Sequence, residues 1–441
     1  MLDDLSVLGD SRFRLLLIAR TISVLGSSFA PVAVAFGVLG LPGATPRTLS
    51  IVLAGEAIPM VLFLLIGGVI ADRFRRNRVM MVGEVLNAVG FGAIAVMLLV
   101  GWTPTAALTA AAALAGIGTA VLFPALTGII PDVVDPGHLQ QGNALLGLGA
   151  NIARVAGLVA SGAIVVWLGA GWALVISSAM FGAAAVALSM LRPARDSRAA
   201  AGASVFADLR QGWDEFRSRQ WLWVVVLQFS ILVMALQAAH GVLGPVIAET
   251  EMGGAGAWAA VLAGEAVGMI LGVAIALRIR PARPILVCTL LSAAPAVPYV
   301  LLGIGAPLWM VVLGAIGMGV SFDLFGVLWQ TTMQREIPPE SLSRVSSYDA
   351  FGSLLFGPLG LLLAGPAAVL LGPHQAMFWC AGIAVVSALA ALCAPGVRNL
   401  RAPSADRNGD VEDDSNGEQV LAAAVPAEAP PATAIPVAPP S

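Results

Sequence analysis

The sequence predicts an all-α integral membrane protein in which twelve transmembrane helices form two pseudo-symmetric six-helix bundles. Three observations support this prediction: the composition, the spacing of the apolar runs and an internal duplication. Of the 441 residues, 58% are hydrophobic and only 11% are charged, and the mean hydropathy is +0.90. A soluble domain carries roughly 25% charged residues. This chain cannot cover its surface with charge, so lipid must contact most of it.

The same composition excludes several classes of protein. It is too apolar for a nucleic-acid-binding protein, a secreted disulfide scaffold or an ordinary cytosolic enzyme. Cys288, Cys380 and Cys393 all lie within apolar runs and lack the spacing of metal ligands. The chain contains no H-E-x-x-H motif, no Cys/His cluster and no nucleotide-binding loop. We therefore expect no catalytic residues, no metal, no cofactor and no nucleic-acid partner.

Apolar runs define the individual elements in order. About 20 apolar residues cross a bilayer as a helix, and twelve such runs are separated by polar, proline or glycine residues. The predicted spans of the first half are Leu15–Leu39, Leu49–Ala71, Val79–Gly101, Thr105–Ile130, Gly142–Leu168 and Trp172–Leu191. Those of the second half are Trp221–Ala248, Ala257–Leu277, Pro284–Gly303, Pro307–Trp329, Val345–Leu371 and Gln375–Ala394.

The basic residues predict the orientation of these spans. All 23 are arginines; apart from Arg20 and Arg154, which lie inside spans, they precede the first span or follow an even-numbered span other than the fourth, with one exception. Among the odd-numbered connections only Arg47 occurs. Because positively charged loops remain in the cytoplasm, we expect a multi-pass protein of a bacterial cytoplasmic membrane with both termini inside the cell.

Four segments are predicted from these boundaries. Residues 1–191 form the first bundle and residues 221–396 the second. Residues 192–220 form a cytoplasmic linker, in which the helical spacing of Val205, Leu209, Trp213 and Phe216 indicates an amphipathic helix. Residues 397–441 are acidic and then rich in alanine and proline, which predicts a disordered cytoplasmic tail.

An internal duplication relates the two bundles. Residues 53–57 read LAGEA and recur at residues 262–266, a displacement of 209 (262 minus 53). A weaker repeat aligns Leu139 with Leu342, a displacement of 203 (342 minus 139). A parallel duplication of six spans is typical of secondary transporters that rock one half against the other around a central site.

The loop after the second span carries a motif that we interpret as a cytoplasmic gate. Gly68, Asp72, Arg73 and Arg76 lie together at the cytoplasmic end of that span. Asp72 is at a helix C-terminus, where the helix dipole disfavours a carboxylate, so we expect it to pair with Arg73, Arg76 or the N-terminus of another helix. An ordinary basic loop is the alternative.

These four residues match the signature G-x-x-x-D-R-x-G-R-R of the major facilitator superfamily, which the sequence resembles over residues 10–395. Arg75 replaces the usual second glycine. Segments 12–16, 123–125, 131–134 and 142–144 are similar to the branch that contains macrolide and siderophore exporters. The resemblance implies the major facilitator fold, alternating access by rocking, and proton-coupled efflux of hydrophobic or amphipathic small molecules.

Charged residues inside the spans are the candidate functional residues, because ionised groups in a bilayer usually face the bundle interior and pair. They are Arg20, Glu56, Arg154, His240, Glu265 and Asp323. By position, Arg20 and Asp323 fall in the cytoplasmic layer, Arg154 near the middle, and the others in the outer layer. Proton coupling needs a carboxyl group whose pKa changes with conformation.

We predict that Asp323, Glu56 or Glu265 carries the proton and that Arg20 and Arg154 are counter-charges. Permanent structural pairing is the alternative for each. For His240 we expect a hydrogen-bonded structural role. Glu84 is expected to pair with the basic loop that follows the second span.

The predicted function is a monomeric transporter that exports a small molecule in exchange for protons and is surrounded by membrane lipids. Uptake, or transport of sugars, peptides or lipids, is the alternative within the same fold. A membrane receptor that binds a ligand without moving it is a further alternative.

Overall fold

The computed structural model describes residues 8–134, 138–191, 213–276 and 278–401. Within a few helices only the backbone is described, notably at residues 65–73. The predicted tail from residue 402 onward and most of the predicted linker, including Val205 and Leu209, lie outside the described residues. The four segment boundaries therefore remain a prediction.

Twelve helices among the described residues are long and apolar enough to cross a membrane, which confirms the predicted number. The first half contains Ser11–Ser27, Ala30–Leu39, Pro46–Arg73, Arg76–Val100, Thr105–Val133, Leu139–Leu168 and Ala170–Met190. The second half contains Gln220–Ala238, Ala239–Leu243, Gly244–Glu251, Ala255–Ala276, Pro284–Leu291, Ala296–Gly303, Leu308–Glu336, Pro339–Leu354, Gly357–Leu371, Pro373–Leu392 and Pro395–Asn399.

Four spans consist of more than one helix: the first, seventh, ninth and eleventh. The break in the first span precedes Pro31, which has no N–H to donate and whose ring excludes the preceding turn. The Ser28 hydroxyl donates to the Val24 carbonyl at 2.7 Å across this break. Several helices also continue past the apolar run that predicted them, as the tenth span does from Trp329 to Glu336, since a helix satisfies its own backbone beyond the membrane core.

The apolar core of the described residues consists of three hydrophobic clusters. We call the membrane face with the arginine-rich loops the basic face. On the opposite side, one continuous hydrophobic cluster of described residues joins both halves, from Phe29 through Leu108 and Trp258 to Met377. On the basic side each half has a cluster of its own, one around Phe13 and one around Trp329. Among the described residues, the hydrophobic cluster that both halves share thus lies on the side away from the basic face.

Exposed tryptophans mark that opposite face. Among the described residues, five exposed indoles lie at or near the span ends remote from the basic loops: Trp102, Trp167, Trp172, Trp309 and Trp379. Tryptophan prefers the level of the lipid headgroups. Two more exposed tryptophans, Trp213 and Trp223, lie near the basic face, so the aromatic belt is denser on the opposite face.

The end of the linker packs against the second half. Residues 213–218 are helical, and the ring of Trp213 lies 5.5 Å from that of Tyr348 in the eleventh span. Phe216 is buried and stacks on Trp213 at 5.7 Å. The described part of the linker therefore has an apolar face with aromatic contacts, and the amphipathic helix over the whole linker stays a prediction.

Candidate functional site

A cavity of about 460 Å³ lies at the junction of the two halves. It reaches from Leu53, near the opposite face, to Leu126, about two turns from the basic end of its helix at Val133. Its polar lining consists of Arg20, Ser23, Ser27, Glu56, Asn87, Thr119, Arg154 and Gln237, and the remaining walls are apolar. Among the described lining residues, only Gln237 and Leu361 come from the second half, so the first half provides most of the described surface.

Three of the five predicted cavity residues, Arg20, Glu56 and Arg154, meet in this one cavity. The two predicted layers are therefore the two ends of one space. Glu265 and Asp323 are not among the described residues that line it. The predicted set divides into a cavity group and two carboxyl groups of the second half.

Arg20 has an acidic neighbour that the sequence reasoning assigned elsewhere. Glu84, in the third span, is only 1% exposed. It accepts a hydrogen bond from the Ser23 hydroxyl and interacts electrostatically with Arg20. The expectation that Glu84 pairs with the basic loop is wrong, because eight residues of helix place it about 12 Å deeper than Arg76. Its buried Oε2 has no hydrogen-bond partner among the described residues.

Glu56 lines the cavity from the second span, about one helical turn from Leu53. Its backbone is fixed by the fourth span, where a Cβ added at Gly116 would collide with the Glu56 carbonyl oxygen. The duplication reproduces this contact in the other half, where Gly319 of the tenth span lies against the carbonyl oxygen of Glu265. The close helix contact is therefore common to both halves.

Arg154 extends across the boundary between the halves. Its Nη1 donates to the Sδ of Met269 in the eighth span at 3.8 Å, which is a weak contact. It also interacts electrostatically with Arg20 of its own half and with Asp323 of the tenth span. A guanidinium group between a cavity and a carboxyl of the other half is well placed to change partners when the halves move.

Asp323 lies on a tightly packed section of the tenth span. Its Cβ is a near neighbour of Gly272 in the eighth span, where an added Cβ would approach it to 2.9 Å. The Oδ2 of Asp323 is buried and has no hydrogen-bond partner within the described part of the chain.

Glu265 lies beside His240 and is not among the described residues that line the cavity. Its Oε2 lies 3.7 Å from His240 Nδ1, which is too long for a hydrogen bond but short enough for an ion pair. The predicted structural hydrogen bond of His240 is not among the contacts described for it. His240 instead has a carboxylate neighbour and two aromatic ones, Trp258 and Tyr299.

Close contacts between the halves seal the cavity on the opposite face. An added Cβ at Gly162 would lie against Ala259, and one at Gly365 would lie 2.5 Å from Ser50 Oγ and 2.6 Å from Arg47 Cα. Gly241 likewise approaches Leu53. Together with the hydrophobic cluster that both halves share on this side, these contacts close the cavity toward the opposite face.

The predicted cytoplasmic gate remains a prediction. Gly68, Asp72 and Arg73 belong to the helix Pro46–Arg73, but their side chains are not described. Arg76 begins the next helix. Beside it, Asn77 Nδ2 donates to the Leu191 carbonyl at 2.9 Å, which fixes the start of the third span against the end of the sixth.

Neutral polar residues of the cavity were missed by the sequence reasoning. Asn87, Thr119 and Gln237 all line it, and the Thr119 hydroxyl donates to Asn87 Oδ1 at 3.2 Å. The signal was available, since each is an uncommon polar residue within an apolar run. The predicted set contained charged residues only, and these three are neutral.

Comparison with known proteins gives three findings. A family model described as Major Facilitator Superfamily matches residues 16–361. The enterobactin exporter EntS of Citrobacter koseri is 25% identical over 410 residues, which cover 89% of this chain and 94% of that protein. The crystal structure of the nucleoside transporter NupG superposes with a TM-score of 0.70 at 13% identity, covering 87% of this chain and 98% of that one.

A bacterial homologue of the human lysosomal transporter Spinster, solved in an inward-facing and unoccupied conformation, gives a TM-score of 0.63 at 17% identity and covers 89% and 98% of the two chains. At these identities the two structures agree with this one in fold.

Proposed function

Because this chain belongs to the major facilitator superfamily and is a transporter rather than an enzyme, we propose that it exports amphipathic small molecules from a bacterium in exchange for protons. The cavity carries this proposal. A drug, macrolide or siderophore-like molecule is the proposed substrate class.

The lining of the cavity supports an amphipathic substrate with an acidic or hydrogen-bonding group. Arg20 and Arg154 contribute two positive charges and Glu56 one negative charge, so an ionised lining has a net charge of about +1. Phe91, Leu122 and Leu361 supply apolar wall. The volume of about 460 Å³ lies within the usual range for small-molecule sites, roughly 300 to 1,000 Å³. The similarity to an enterobactin exporter favours the same substrate class.

The position of the cavity supports entry of the substrate from the cytoplasmic side. With the arginine-rich loops inside the cell, a cavity that is closed at the opposite face and reaches Leu126 on the basic side suits a substrate that enters from the cytoplasm. Export then requires the contacts of Gly162 and Gly365 to separate while the basic sides of the two halves approach each other. Rocking of two similar bundles accomplishes this with little change inside either one.

A secretion assay tests the proposal. The chain is expressed in a bacterial strain that synthesises enterobactin but lacks its exporter, and external enterobactin is measured over time; intracellular accumulation of a macrolide is measured in parallel in a strain without other pumps. We expect at least one of the two substrates to be exported, with loss of export when a protonophore collapses the proton gradient.

Two arginine variants provide the matched comparison. Arg154→Ala removes a cavity charge and is expected to reduce export about tenfold or more, whereas Arg280→Ala removes an exposed arginine from the loop after the eighth span and is expected to leave it intact. Equal export by both variants, at equal expression, would contradict the assignment of the cavity. Export that persists with the protonophore would contradict proton coupling.

A further inference from the structure

The seventh span changes its helical geometry at His240. Residues Ala239–Leu243 form a π-helix between two α-helical segments, and the Gly244 N–H donates to the Ala239 carbonyl five residues earlier. Pro245 follows. Since proline has no N–H to continue the α-helical pattern, a widened turn here accommodates it. Such turns occur frequently at functional sites because they redirect one side chain.

The redirected side chain meets an acid in a largely apolar environment. His240 Nδ1 and Glu265 Oε2 lie 3.7 Å apart, and the two side chains are 17% and 19% exposed. The rings of Trp258 and Tyr299 pack edge-on to the imidazole at 6.0 and 5.8 Å. An acid and a base at this distance have room to exchange a proton without being locked together.

The aromatic walls contain unused hydrogen-bond donors. Trp258 Nε1 and Tyr299 Oη are buried, and neither has a hydrogen-bond partner among the described residues. A permanent structural pair would be expected to use the donors around it, because buried polar groups are nearly always satisfied. The unpaired donors instead indicate that the hydrogen bonds around His240 and Glu265 change between two conformations of the protein.

Other titratable groups around the π-helix have different neighbours. Tyr299 interacts electrostatically with Glu265 and with Cys380 of the twelfth span. Glu251, at the end of the seventh span, forms a hydrogen bond with His374, with 2.7 Å between Glu251 Oε1 and His374 Nε2. Glu249 is exposed at the same end, and Glu56 of the second span lines the cavity. Glu265 is thus the carboxylate that lies within ion-pair distance of His240 in the described structure.

The π-helix also lies against the seal and the cavity. An added Cβ at Gly241 would lie 2.6 Å from Leu361 and 3.3 Å from Leu53 of the second span. Leu361, Leu53 and Gln237 are cavity-lining residues. A small shift of this turn therefore reaches both the substrate space and a contact between the two halves.

We propose that His240 and Glu265 form the proton-binding site that drives the transporter, separate from the substrate cavity and connected to it through the π-helix. The inference rests on the proposed proton-coupled function. With one proton bound, the pair is neutral overall; after release, neutral histidine and ionised glutamate leave a net charge of −1. Because a buried net charge is costly, the two protonation states stabilise different packings of the seal.

A substrate-free measurement tests this site. Spin labels replace Trp167 and Leu370, which are exposed on the first and second halves, in a background where Cys288, Cys380 and Cys393 are replaced. Distances between the labels are measured in lipid nanodiscs from pH 5.5 to 8.5. We expect the ratio of the two states to change about tenfold over this range, because one proton is bound or released together with the conformational change.

Glu265→Gln and His240→Gln are each expected to reduce that change to less than about twofold. His374→Gln, which alters an exposed histidine pair elsewhere in the same half, is expected to retain it. Only variants with an unchanged elution profile are compared, and two independent substitutions guard against loss of one through misfolding.

The proposal is overturned by the absence of a pH response in the parent protein, by a full response in both variants, or by a response lost only in His374→Gln. A distance change driven by sodium ions at constant pH overturns it in favour of a sodium site. Since no substrate is present, none of these results bears on the substrate class. Conversely, absence of export of enterobactin and macrolide in cells leaves the proton site standing if the pH response is present.

Discussion

The second and eighth spans show how the two halves of this duplicated chain have diverged. Both contain the sequence LAGEA, and both are packed against a glycine, Gly116 or Gly319, at the carbonyl oxygen of the motif glutamate. The side chains then differ in surroundings: Glu56 faces a cavity with two arginines, and Glu265 faces His240. Backbone packing has been kept, whereas the chemistry has been divided between the halves.

The seal on the opposite face follows the same symmetry. Gly365 and Gly162 are 203 residues apart (365 minus 162), and their contacts Ala259 and Ser50 are 209 apart (259 minus 50). These are the two displacements of the sequence repeats. The duplication therefore supplied a matched pair of contacts that close one side of the membrane, and the comparison can be tested on both copies.

The largest effect is expected where the copies are most alike. Gly116→Ala and Gly319→Ala each place a Cβ against a backbone carbonyl that cannot move independently of its helix, so each should destabilise the fold by about 2 kcal/mol. Thermal unfolding in detergent measures this. Gly317→Ala, on the same helix as Gly319 but without an atom within 4 Å among the described residues, is the control and should be neutral or slightly stabilising. Unequal costs at the two sites would show that the packing is not shared.

The seal should be less symmetric than its sequence pattern. Gly365→Ala meets the backbone of Pro46 and Arg47, but Gly162→Ala meets chiefly the side chain of Ala259. We expect Gly365→Ala to shift the spin-label population toward the state open at the opposite face by about tenfold, or 1.4 kcal/mol, and Gly162→Ala by less.

Gly382→Ala serves as the control for the seal, since no described atom lies within 4 Å of that position. An unchanged distance distribution in Gly365→Ala would contradict the identification of this contact as the seal. Equal shifts in Gly365→Ala and Gly162→Ala would instead mean that a clash with backbone and a clash with a side chain destabilise the closed state equally.

Glu56 should affect ligands of opposite charge in opposite directions. Glu56→Gln removes the negative charge from the described cavity lining, so an acidic ligand should bind about fivefold more tightly and the cation tetraphenylphosphonium about fivefold more weakly. Tryptophan fluorescence titration measures both. Glu249→Gln, at an exposed helix end, should change neither. Shifts in the same direction for both ligands would exclude a simple electrostatic role for Glu56.

The sequence was sufficient for the elements that depend on composition and periodicity. Twelve spans follow from apolar length, and the symmetry from a five-residue repeat. The meeting of Arg20, Glu56 and Arg154 in one cavity follows from the fact that charged groups face the bundle interior. The sequence could not reveal that Glu265 lies beside a histidine. His240 is in a π-helix, so its direction cannot be predicted by counting residues along a regular α-helix. Nor could the sequence reveal that Glu84 is the acidic neighbour of Arg20, since the depth of each residue in the membrane depends on where its helix starts.

The smallest effect is expected at that missed partner. Ser23→Ala removes the hydroxyl that donates to Glu84 beneath Arg20, at a cost of about 1 kcal/mol or less in stability, because Arg20 still interacts with the carboxyl group. Thermal unfolding is compared with that of Ser189→Ala, whose hydroxyl donates only to the nearby Val186 carbonyl on an exposed surface. If Glu84 holds Arg20 in the cavity, Ser23→Ala should also weaken binding of the acidic ligand slightly, whereas Ser189→Ala should not. A stability loss with unchanged binding would assign Glu84 to packing of the third span alone.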